Sequence, residues 1–464
     1  MKKVQQVVRD TARKARGRIL VVGSLTSEMR ERSFYHAVLQ AAQSSGVPCV
    51  PYNPSIRDDD VESSPACLIE HVVDGLAMAR RTGCASVLVV GGGCTIEVAK
   101  SIAMLLPSSI NAQALSDSGT KRDQAILNVV ATKEQAASPV VAVPTTFHGC
   151  VAASSNRTFL TDAAEGAVLN LSGDHLDRSG GVHVVVDPTL LRQSSPLVCA
   201  EGAISSLARI SDSLLVNTGG KDDIGHDGGA ALGELLATVK ELLSTSFALH
   251  DGRHPSMGSW TRTAAVSNES NVVVKEEEME EEEEDICERY GAIGCVIGSC
   301  VSLGGPGVTQ TIARVVASNY NLSFGQACAL VLPHVVGIQL ERAESHEEEE
   351  ERRGARIHRS ILDVFEEEEE EKGGESSSSS SSSSSRTTMY DAFQRVRRQV
   401  RVPRPSEDNL KELTTSIMLD PSFKEAVEDE NGAQTWTRKT IGDMLEASFE
   451  FLPELEEEEE EVKV

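Results

Sequence analysis

Three consecutive glycines, Gly91–Gly93, stand between an apolar run and a segment with helical periodicity, in the stretch VLVVGGGCTIEVAK. Glycines at such a strand-to-helix corner let a ligand approach the backbone, and the first N–H groups of the helix attract an anion. A diphosphate is the usual occupant. The alternative is a turn that serves packing alone, with Cys94 and Thr95 capping the helix. We take Gly91, Gly92, Gly93 and Cys94 as candidate phosphate-binding residues.

A second stretch, VVAVPTTFHG, places Thr145 and Thr146 at the end of another apolar strand. Ligands of parallel sheets bind at the carboxyl ends of the strands, so we expect both hydroxyls to lie beside the glycine corner and complete a nucleotide site. His148 follows closely, and imidazole ordinarily titrates near neutral pH, which makes it a candidate proton donor. The alternative for His148 is a loop histidine whose hydrogen bonds are satisfied.

The elements that carry these residues alternate between strand and helix. Apolar segments that read as strands are RILVVGS, VPCVPYN, ASVLVVGGG, PVVAVPTT and VHVVVDP, and helical patterns separate the earlier ones. Such alternation with continuous apolar strands indicates a parallel sheet covered by helices. The predicted fold class is an α/β Rossmann-like N-terminal domain with a parallel sheet, followed by an all-α helical C-terminal domain.

The domain boundary is predicted where the strands stop and small-residue helical patterns begin. Low-complexity glutamate and serine tracts interrupt the second half, and such tracts bury too little apolar surface to fold, so we read them as disordered insertions. The predicted divisions are a nucleotide-binding domain at 1–190, a helical domain at 191–464, insertions at about 270–286, 345–353 and 366–386, and an acidic tail at 454–464.

The net charge of −27 falls to about −2 when the 25 glutamates of the four longest acidic tracts are set aside. With no basic stripe on the rest of the chain, we expect no nucleic-acid partner. No apolar run reaches the roughly 18 residues of a membrane span, so we expect no membrane partner. The 10 cysteines show no CxxC pair, which favours a reducing compartment. We expect a cytoplasmic protein; a basic N-terminal segment, read here as an amphipathic helix, leaves a mitochondrion or plastid as the alternative.

Four ordered motifs resemble those of the iron-containing alcohol dehydrogenase family, which shares its fold with dehydroquinate synthase. They are GGGCTIEVAK, VPTTFHG, VVVDPTLL and SNYNLSFGQACALVLPHVV, and TWTRKTIGDMLEASFE is similar to the family's closing helix. The forms PTTFHG and YNL are most similar to the maleylacetate reductase branch. The resemblance implies that the first domain binds NAD or NADP and that a small-molecule substrate enters the cleft between the domains. It also implies a homodimer.

The same resemblance implies a divalent metal held by an aspartate and three histidines of the helical domain. In this chain those four positions are Ser205, Arg209, Gln310 and Phe324. A guanidinium carries a fixed positive charge and a phenyl ring has no lone pair, so these residues oppose cation binding. We therefore expect no metal.

Two functions follow from these residues. In the first, the chain is a metal-independent NAD(P)-dependent reductase of a keto acid such as maleylacetate, with Arg209 and His148 as catalytic residues. The alternative role for Arg209 and Arg314 is a structural ion pair with helix acids such as Asp212. In the second function, the chain is a catalytically inactive pseudoenzyme with a binding or regulatory role. A sugar-phosphate cyclase is disfavoured because its metal histidines and basic phosphate cluster are missing.

Overall fold

The computed structural model describes most of the first 219 residues and the helices that follow. The described residues are 2–15, 17–23, 34–53, 68–108, 110, 126, 136–161, 168–171, 181–191, 194, 196–219, 288–299, 307–345, 359, 393–394, 396–398, 400, 402, 404–429 and 436–450. Predicted insertions at about 270–286 and 366–386 and the predicted tail at 454–464 lie outside these residues, as does the insertion at 345–353 apart from its first residue.

The strands of the described residues form two sheets. They are β1 (Arg18–Val22), β2 (Cys49–Tyr52), β3 (Cys84–Gly91), β4 (Val140–Pro144), β5 (Thr158–Thr161), β6 (Val168–Leu171) and β7 (Val182–Val184). A parallel sheet has the order β2-β1-β3-β4-β7, and this confirms the predicted parallel sheet. The winding direction reverses between β1 and β3, which is where open α/β sheets bind ligands.

Helices cover the sheet and form the second half of the described chain. They are α1 (Lys2–Ala15), α2 (Phe34–Ser44), α3 (Ile69–Thr82), α4 (Gly93–Leu105), α5 (Phe147–Ser154), α6 (Pro188–Leu191), α7 (Pro196–Gly219), α8 (288–299), α9 (Val308–Tyr320), α10 (Phe324–Ser345), α11 (Glu407–Leu419), α12 (Pro421–Asp429) and α13 (Arg438–Glu450). The N-terminal helix is confirmed as α1, and α13 confirms the predicted closing helix. None of the described helices is long and apolar enough to cross a membrane.

Alternate residues of the strands enter two separate apolar cores, one on each face of the sheet. Ile19 and Val21 pack with α1 and α2, whereas Leu20 and Val22 pack with α3 and α4. Strand side chains point to opposite faces with a period of two, so continuous apolar strands bury both faces at once. The apolar runs therefore produce the three-layer arrangement that carries the two corners, one at Gly91–Gly93 and the other at Thr145 and Thr146.

A two-stranded antiparallel sheet, β5 with β6, was not predicted from the sequence. Its consecutive residues Phe159 and Leu160 enter different cores. Phe159 packs in the helical core with residues such as Leu207 and Ile312, and Leu160 packs in the core on the α3 and α4 face of the main sheet. The small sheet therefore joins the two halves of the described chain.

The helical half has its own apolar core, built by α7, α9, α10, α11 and α13. Its fully buried residues include Leu207, Ile312, Leu330 and Leu445. This agrees with the predicted helical second domain, while the boundary near residue 190 stays a prediction. The fold thus brings the start of α4 and the start of α5 against α7, α9 and α10.

Lys100, on α4, fixes the end of α5. Its ammonium group has no exposed surface and donates hydrogen bonds to the carbonyl oxygens of Ala152 (2.8 Å), Ser155 and Arg157 (3.0 Å). The last carbonyls of a helix have no partner within it, and a cation there also offsets the negative end of the helix dipole. Lys100 therefore holds α5, and with it the opposite end of α5 that carries the second corner.

Replacement of this cation should destabilise the fold. In Lys100→Met the carbonyls of Ala152, Ser155 and Arg157 lose a buried donor, so we expect the free energy of unfolding to fall by about 3 kcal/mol. Urea titration would measure the change. Lys411→Met is the control, because Lys411 pairs with Glu407 at 2.8 Å on the exposed side of α11 and such pairs contribute little. Equal losses in both variants would contradict the role assigned to Lys100.

Candidate active site

The three glycines of the first corner are not equivalent. Gly92 is the N-cap of α4, with φ −79° and ψ −172°. A Cβ at Gly91 would lie 2.7 Å from the Thr95 side chain, and one at Gly93 would lie 2.9 Å from Nδ1 of His148. A Cβ at Gly92 would meet the Thr146 hydroxyl at 3.4 Å, an ordinary contact. Internal packing therefore requires Gly91 and Gly93 to be glycine, whereas a side chain at Gly92 would make only ordinary contacts with Thr146.

The second corner lies directly beside the first. The Thr145 N–H donates to the carbonyl of Gly91 at 3.0 Å, which extends the pairing of β3 and β4. Thr146 is the N-cap of α5, and its hydroxyl accepts from the Gly149 N–H at 3.0 Å. The structure thus brings Gly92 and Thr146 together at the carboxyl edge of the sheet, as the sequence predicts; their role as nucleotide ligands stays a prediction.

His148 lies in the first turn of α5, with its ring against Gly93 on one side and the ring of Phe324 on the other, at 5.8 Å between centroids. Arg209 Nη2 lies 3.0 Å from His148 Nε2. A guanidinium can only donate, so Nε2 accepts and the proton is on Nδ1. Burial, and then the Arg209 charge, lower the pKa of His148 to about 3.

This geometry corrects the expectation that His148 titrates near working pH. The ring is neutral because protonation would place a second cation against Arg209 in a buried site. In this conformation His148 orients Arg209 and has no acidic proton to supply at neutral pH.

The centre of the site is a buried ion cluster around Glu97 of α4. Glu97 Oε1 lies 3.2 Å from Arg314 Nη2 and 3.5 Å from Arg209 Nη2, and both the Glu97 and Arg209 side chains are almost completely buried. Arg314 also stacks on Phe159 at 3.7 Å and on Phe324 at 4.4 Å, measured from Cζ to the ring centroids. These cation–π contacts hold the guanidinium where water has little access.

Asp212, expected as an ion-pair partner of Arg209 and Arg314, has another role. Its carboxylate accepts the N–H groups of Thr309 (3.0 Å) and Gln310 (2.9 Å) and so caps α9 from a different helix. A Cβ at Gly307, the N-cap of α9, would overlap this carboxylate, which explains the glycine there. Burial raises the pKa of Asp212 to about 6, although the hydrogen bonds offset part of the rise. Asp212 thereby fixes the end of α9 from which Arg314 reaches the site.

Sequence reasoning missed the central position of Glu97. A signal was present, because an acidic residue inside the mostly apolar run CTIEVAKSIAMLL is buried with its helix and then needs a cation. The identity of the cations could not be read, because Arg209 and Arg314 lie more than 100 residues further along the chain.

Comparison with known proteins agrees with this architecture. Residues 2–176 match the family model described as iron-containing alcohol dehydrogenase, and this stretch includes both corners. A sequence comparison with curated proteins finds no match.

Solved structures that resemble nearly the whole chain include alcohol dehydrogenases and a reductase. An archaeal halo-thermophilic alcohol dehydrogenase from a Red Sea brine pool has a TM-score of 0.61 at 15% identity, covering 96% of this chain and 94% of that one. An iron-containing alcohol dehydrogenase from Thermotoga maritima has 0.59 at 13%, with 96% of each chain covered. A sulfoacetaldehyde reductase from Bifidobacterium kashiwanohense, in complex with NAD+, has 0.56 at 15%, covering 97% and 95%. This chain has the iron-containing alcohol dehydrogenase fold.

Within the iron-containing alcohol dehydrogenase fold, the four positions expected to hold the metal are Ser205, Arg209, Gln310 and Phe324. Ser205 Oγ donates to the Gly202 carbonyl at 2.9 Å, and Phe324 packs on both His148 and the guanidiniums. Gln310 is buried, and no described residue forms a hydrogen bond with its Oε1. Among the described residues, no group of three or more His, Cys, Asp or Glu side chains could hold a metal ion.

The buried neutral state of His148 predicts a pH dependence of stability. Between its folded-state pKa of about 3 and its ordinary value of 6.5 the unfolded chain binds a proton that the folded chain does not. Stability due to this residue is therefore present above 6.5 and is lost as the pH falls, by up to about 1.4 kcal/mol per pH unit.

We expect His148→Asn, whose amide oxygen can still accept from Arg209, to remove this slope in urea titrations between pH 6.5 and the acid limit of folding. His36→Asn, at an exposed position on α2, is the control and should keep the slope. An unchanged slope in His148→Asn would show that the ring is not held neutral.

Proposed function

We propose that this chain is an NAD(P)-dependent oxidoreductase that binds the cofactor diphosphate at the Gly92–Thr146 corner. The family-model match over both corners and the oxidoreductases among the structural neighbours support this assignment. One such neighbour is described as an NADH-dependent butanol dehydrogenase. The Gly92 position gives the diphosphate its access to the start of α4, where N–H groups and the helix dipole attract an anion.

We also propose that the reaction proceeds without a bound metal, because the residues at the metal position do not fit one. Arg209 and Arg314 bring two fixed positive charges to the place where a divalent cation would lie. Glu97, the carboxylate between them, is already paired with both, and Phe324 offers no ligand atom. A cation there would meet repulsion from both guanidiniums with no anionic donor left to compensate.

The substrate that this site favours is a keto acid. The observation that carries the proposal is Arg314: it is largely buried, it shares Glu97 with Arg209, and its Nε has no hydrogen-bond partner among the described residues. A buried guanidinium donor without an acceptor is well suited to a substrate carboxylate or to the oxyanion that forms as hydride reaches a carbonyl. The unpartnered Gln310 Oε1, one helical turn earlier on α9, can accept from a substrate hydroxyl.

In this scheme each side chain has a defined part. A cofactor held at the Gly92–Thr146 corner would supply the hydride, and the guanidinium of Arg209 or Arg314 would stabilise the substrate oxygen as it becomes negative. His148 is a positioning residue that orients Arg209 through Nε2. The proton that completes the alcohol comes from solvent, since His148 is neutral. The resemblance to the maleylacetate reductase branch makes maleylacetate, a keto diacid, the first substrate to test.

A non-catalytic nucleotide-binding protein is the second candidate, and one observation favours it. The groups that would act on a substrate, Arg209 and His148, are buried and bonded to each other, and Phe324 packs on both. In that case the ion cluster serves stability alone. Binding of the cofactor without turnover of any carbonyl substrate would identify this candidate. A cytoplasmic location and a homodimer remain expectations for either one.

Cofactor binding should depend on Gly92. We expect calorimetry to show micromolar binding of NADH or NADPH by the full chain, and a loss of at least about 100-fold in Gly92→Asp, because a carboxylate there repels the diphosphate. Gly337→Asp is the charge-matched control, since a Cβ at that position on α10 would meet no described residue within 4 Å beyond its own stretch of the helix. If both variants bind the cofactor as well as the native chain does, the corner is not the diphosphate site.

Substrate selection should depend on Arg314. We expect Arg314→Met to raise the KM for a keto acid roughly 100-fold through loss of a charged hydrogen bond, with a much smaller effect on an uncharged aldehyde. Arg314→Lys keeps the charge, so its KM for the keto acid should lie between those of the native chain and Arg314→Met. The measurement is NADH oxidation followed by absorbance.

Removal of metal serves as the control for that experiment. Elemental analysis of the purified chain should find no stoichiometric iron or zinc, and dialysis against a chelator should leave turnover unchanged. One metal ion per chain, or loss of turnover after chelation, would overturn the metal-independent proposal. Equal effects of Arg314→Met on both substrates would overturn the keto-acid proposal.

A further inference from the structure

Helices α5 and α8 cross at very short range because glycines line the α8 side. A Cβ at Gly294 would lie 2.8 Å from the Cys150 Cβ, and one at Gly298 would lie 3.0 Å from the Ser154 Cβ and overlap the Val151 carbonyl oxygen. Any side chain at these two glycines would push the helices apart. The sequence GAIGCVIGS thus lets the backbone of α8 pack directly against the surface of α5.

Two thiols meet at this contact. Cys295, between the two glycines, forms side-chain hydrogen bonds with Cys150 and Ser154, both on α5. Cys150 has no exposed surface, whereas Cys295 is partly exposed. The Cys150 and Ser154 hydrogen bonds lower the pKa of Cys295 to about 7, and the same contact raises that of Cys150. Among the described residues, Cys150 is the titratable group that lies against Cys295.

A second close pair of cysteines in the chain has opposite properties. Cys49 begins β2 and Cys84 begins β3, on either side of β1, and the two thiols interact electrostatically. Burial raises the pKa of Cys49 to about 11 and also raises that of Cys84. Neither thiol is then a good nucleophile near neutral pH. Proximity alone therefore does not distinguish Cys150 and Cys295; the partial exposure of Cys295 and its hydrogen-bond donors do.

We propose that Cys295 and Cys150 are a peroxide-reactive thiol pair, in which oxidation joins α5 to α8 through a reversible disulfide. The Cys295 thiolate attacks one oxygen of hydrogen peroxide; the O–O bond breaks, and the product is a sulfenic acid and hydroxide, which takes up a proton as water. The Cys150 sulfur then attacks the sulfenic sulfur, the S–O bond breaks, and its hydroxide leaves with the Cys150 proton as water. Two thiols and one peroxide thus give one disulfide and two waters.

The position of the pair links this chemistry to the candidate active site. Cys150 is two residues after His148 on the same helix, and Thr146 caps that helix. A disulfide at Cys150 would tie the segment that carries both residues to the helical half of the chain. We expect the oxidised chain to have a higher unfolding temperature than the reduced chain, because the cross-link closes a loop of more than 100 residues.

The test uses the full chain. The reduced protein is treated with a small molar excess of hydrogen peroxide near neutral pH, free thiols are alkylated, and the digest is examined by mass spectrometry. We expect a Cys150–Cys295 linked peptide, two hydrogen masses lighter than its parts, that disappears after dithiothreitol. Conversion of Cys295 to sulfinic acid without the linked peptide, or reaction of Cys295 no faster than Cys49 and Cys84, would overturn the proposal.

Variants separate a reactive pair from accidental oxidation. Ser154→Ala removes one hydrogen-bond donor to Cys295, so the rate of Cys295 oxidation should fall roughly tenfold. The midpoint of the pH dependence of this rate should also move to higher pH. Cys84→Ser is the matched control and should leave the linked peptide and its rate unchanged. Cys295→Ser should leave Cys150 reduced and abolish the rise in unfolding temperature. Oxidation of Cys150 in that variant, or an unchanged rate in Ser154→Ala, would contradict the mechanism.

Discussion

Glu97 is a buried carboxylate on a mostly apolar helix, and the arrangement of the site follows from the cost of leaving such a charge alone. An uncompensated carboxylate in a protein interior costs several kcal/mol, so the surrounding helices have to supply cations. They do so from α7 and α9, which places Arg209 and Arg314 on the same carboxylate oxygen. Arg209 then holds His148, and the Phe159 and Phe324 rings fill the space beside the guanidiniums. A single acid on α4 thus determines where Arg209 and Arg314 lie and, through Arg209, the position of His148.

The helices around this cluster are themselves held by charges placed at helix ends. Lys100 satisfies the carbonyls that follow α5, and Asp212 satisfies the first N–H groups of α9. In both cases a side chain from one helix completes the backbone of another, so the partner helix has one favoured position. Apolar packing alone tolerates small shifts, whereas these contacts fix the direction and depth of the helices that carry His148 and Arg314.

The sequence was sufficient for the sheet and the two corners, because long apolar strands and glycine or threonine turns are local signals. It was not sufficient for the β5–β6 pair, whose strands are four residues long and give no clear alternation. It also could not give the partners of Arg209. Asp212, three residues away on the same helix, was the natural partner by spacing, yet the acid that meets Arg209 lies on α4. The lowered pKa of His148 could not be predicted from the sequence for the same reason, since burial and the neighbouring cation depend on residues far along the chain.

The small β5–β6 sheet also affects how the chain loses its structure. Phe159 and Leu160 are neighbours in sequence, but one belongs to the core of the helical half and the other to a core of the parallel sheet. If either core opens, β5 is released. Release of β5 then removes Phe159 or Leu160 from the other core as well. The two halves are consequently bound into one cooperative unit at this point, and amide protons on both sides of β5 should exchange with solvent through a common opening event.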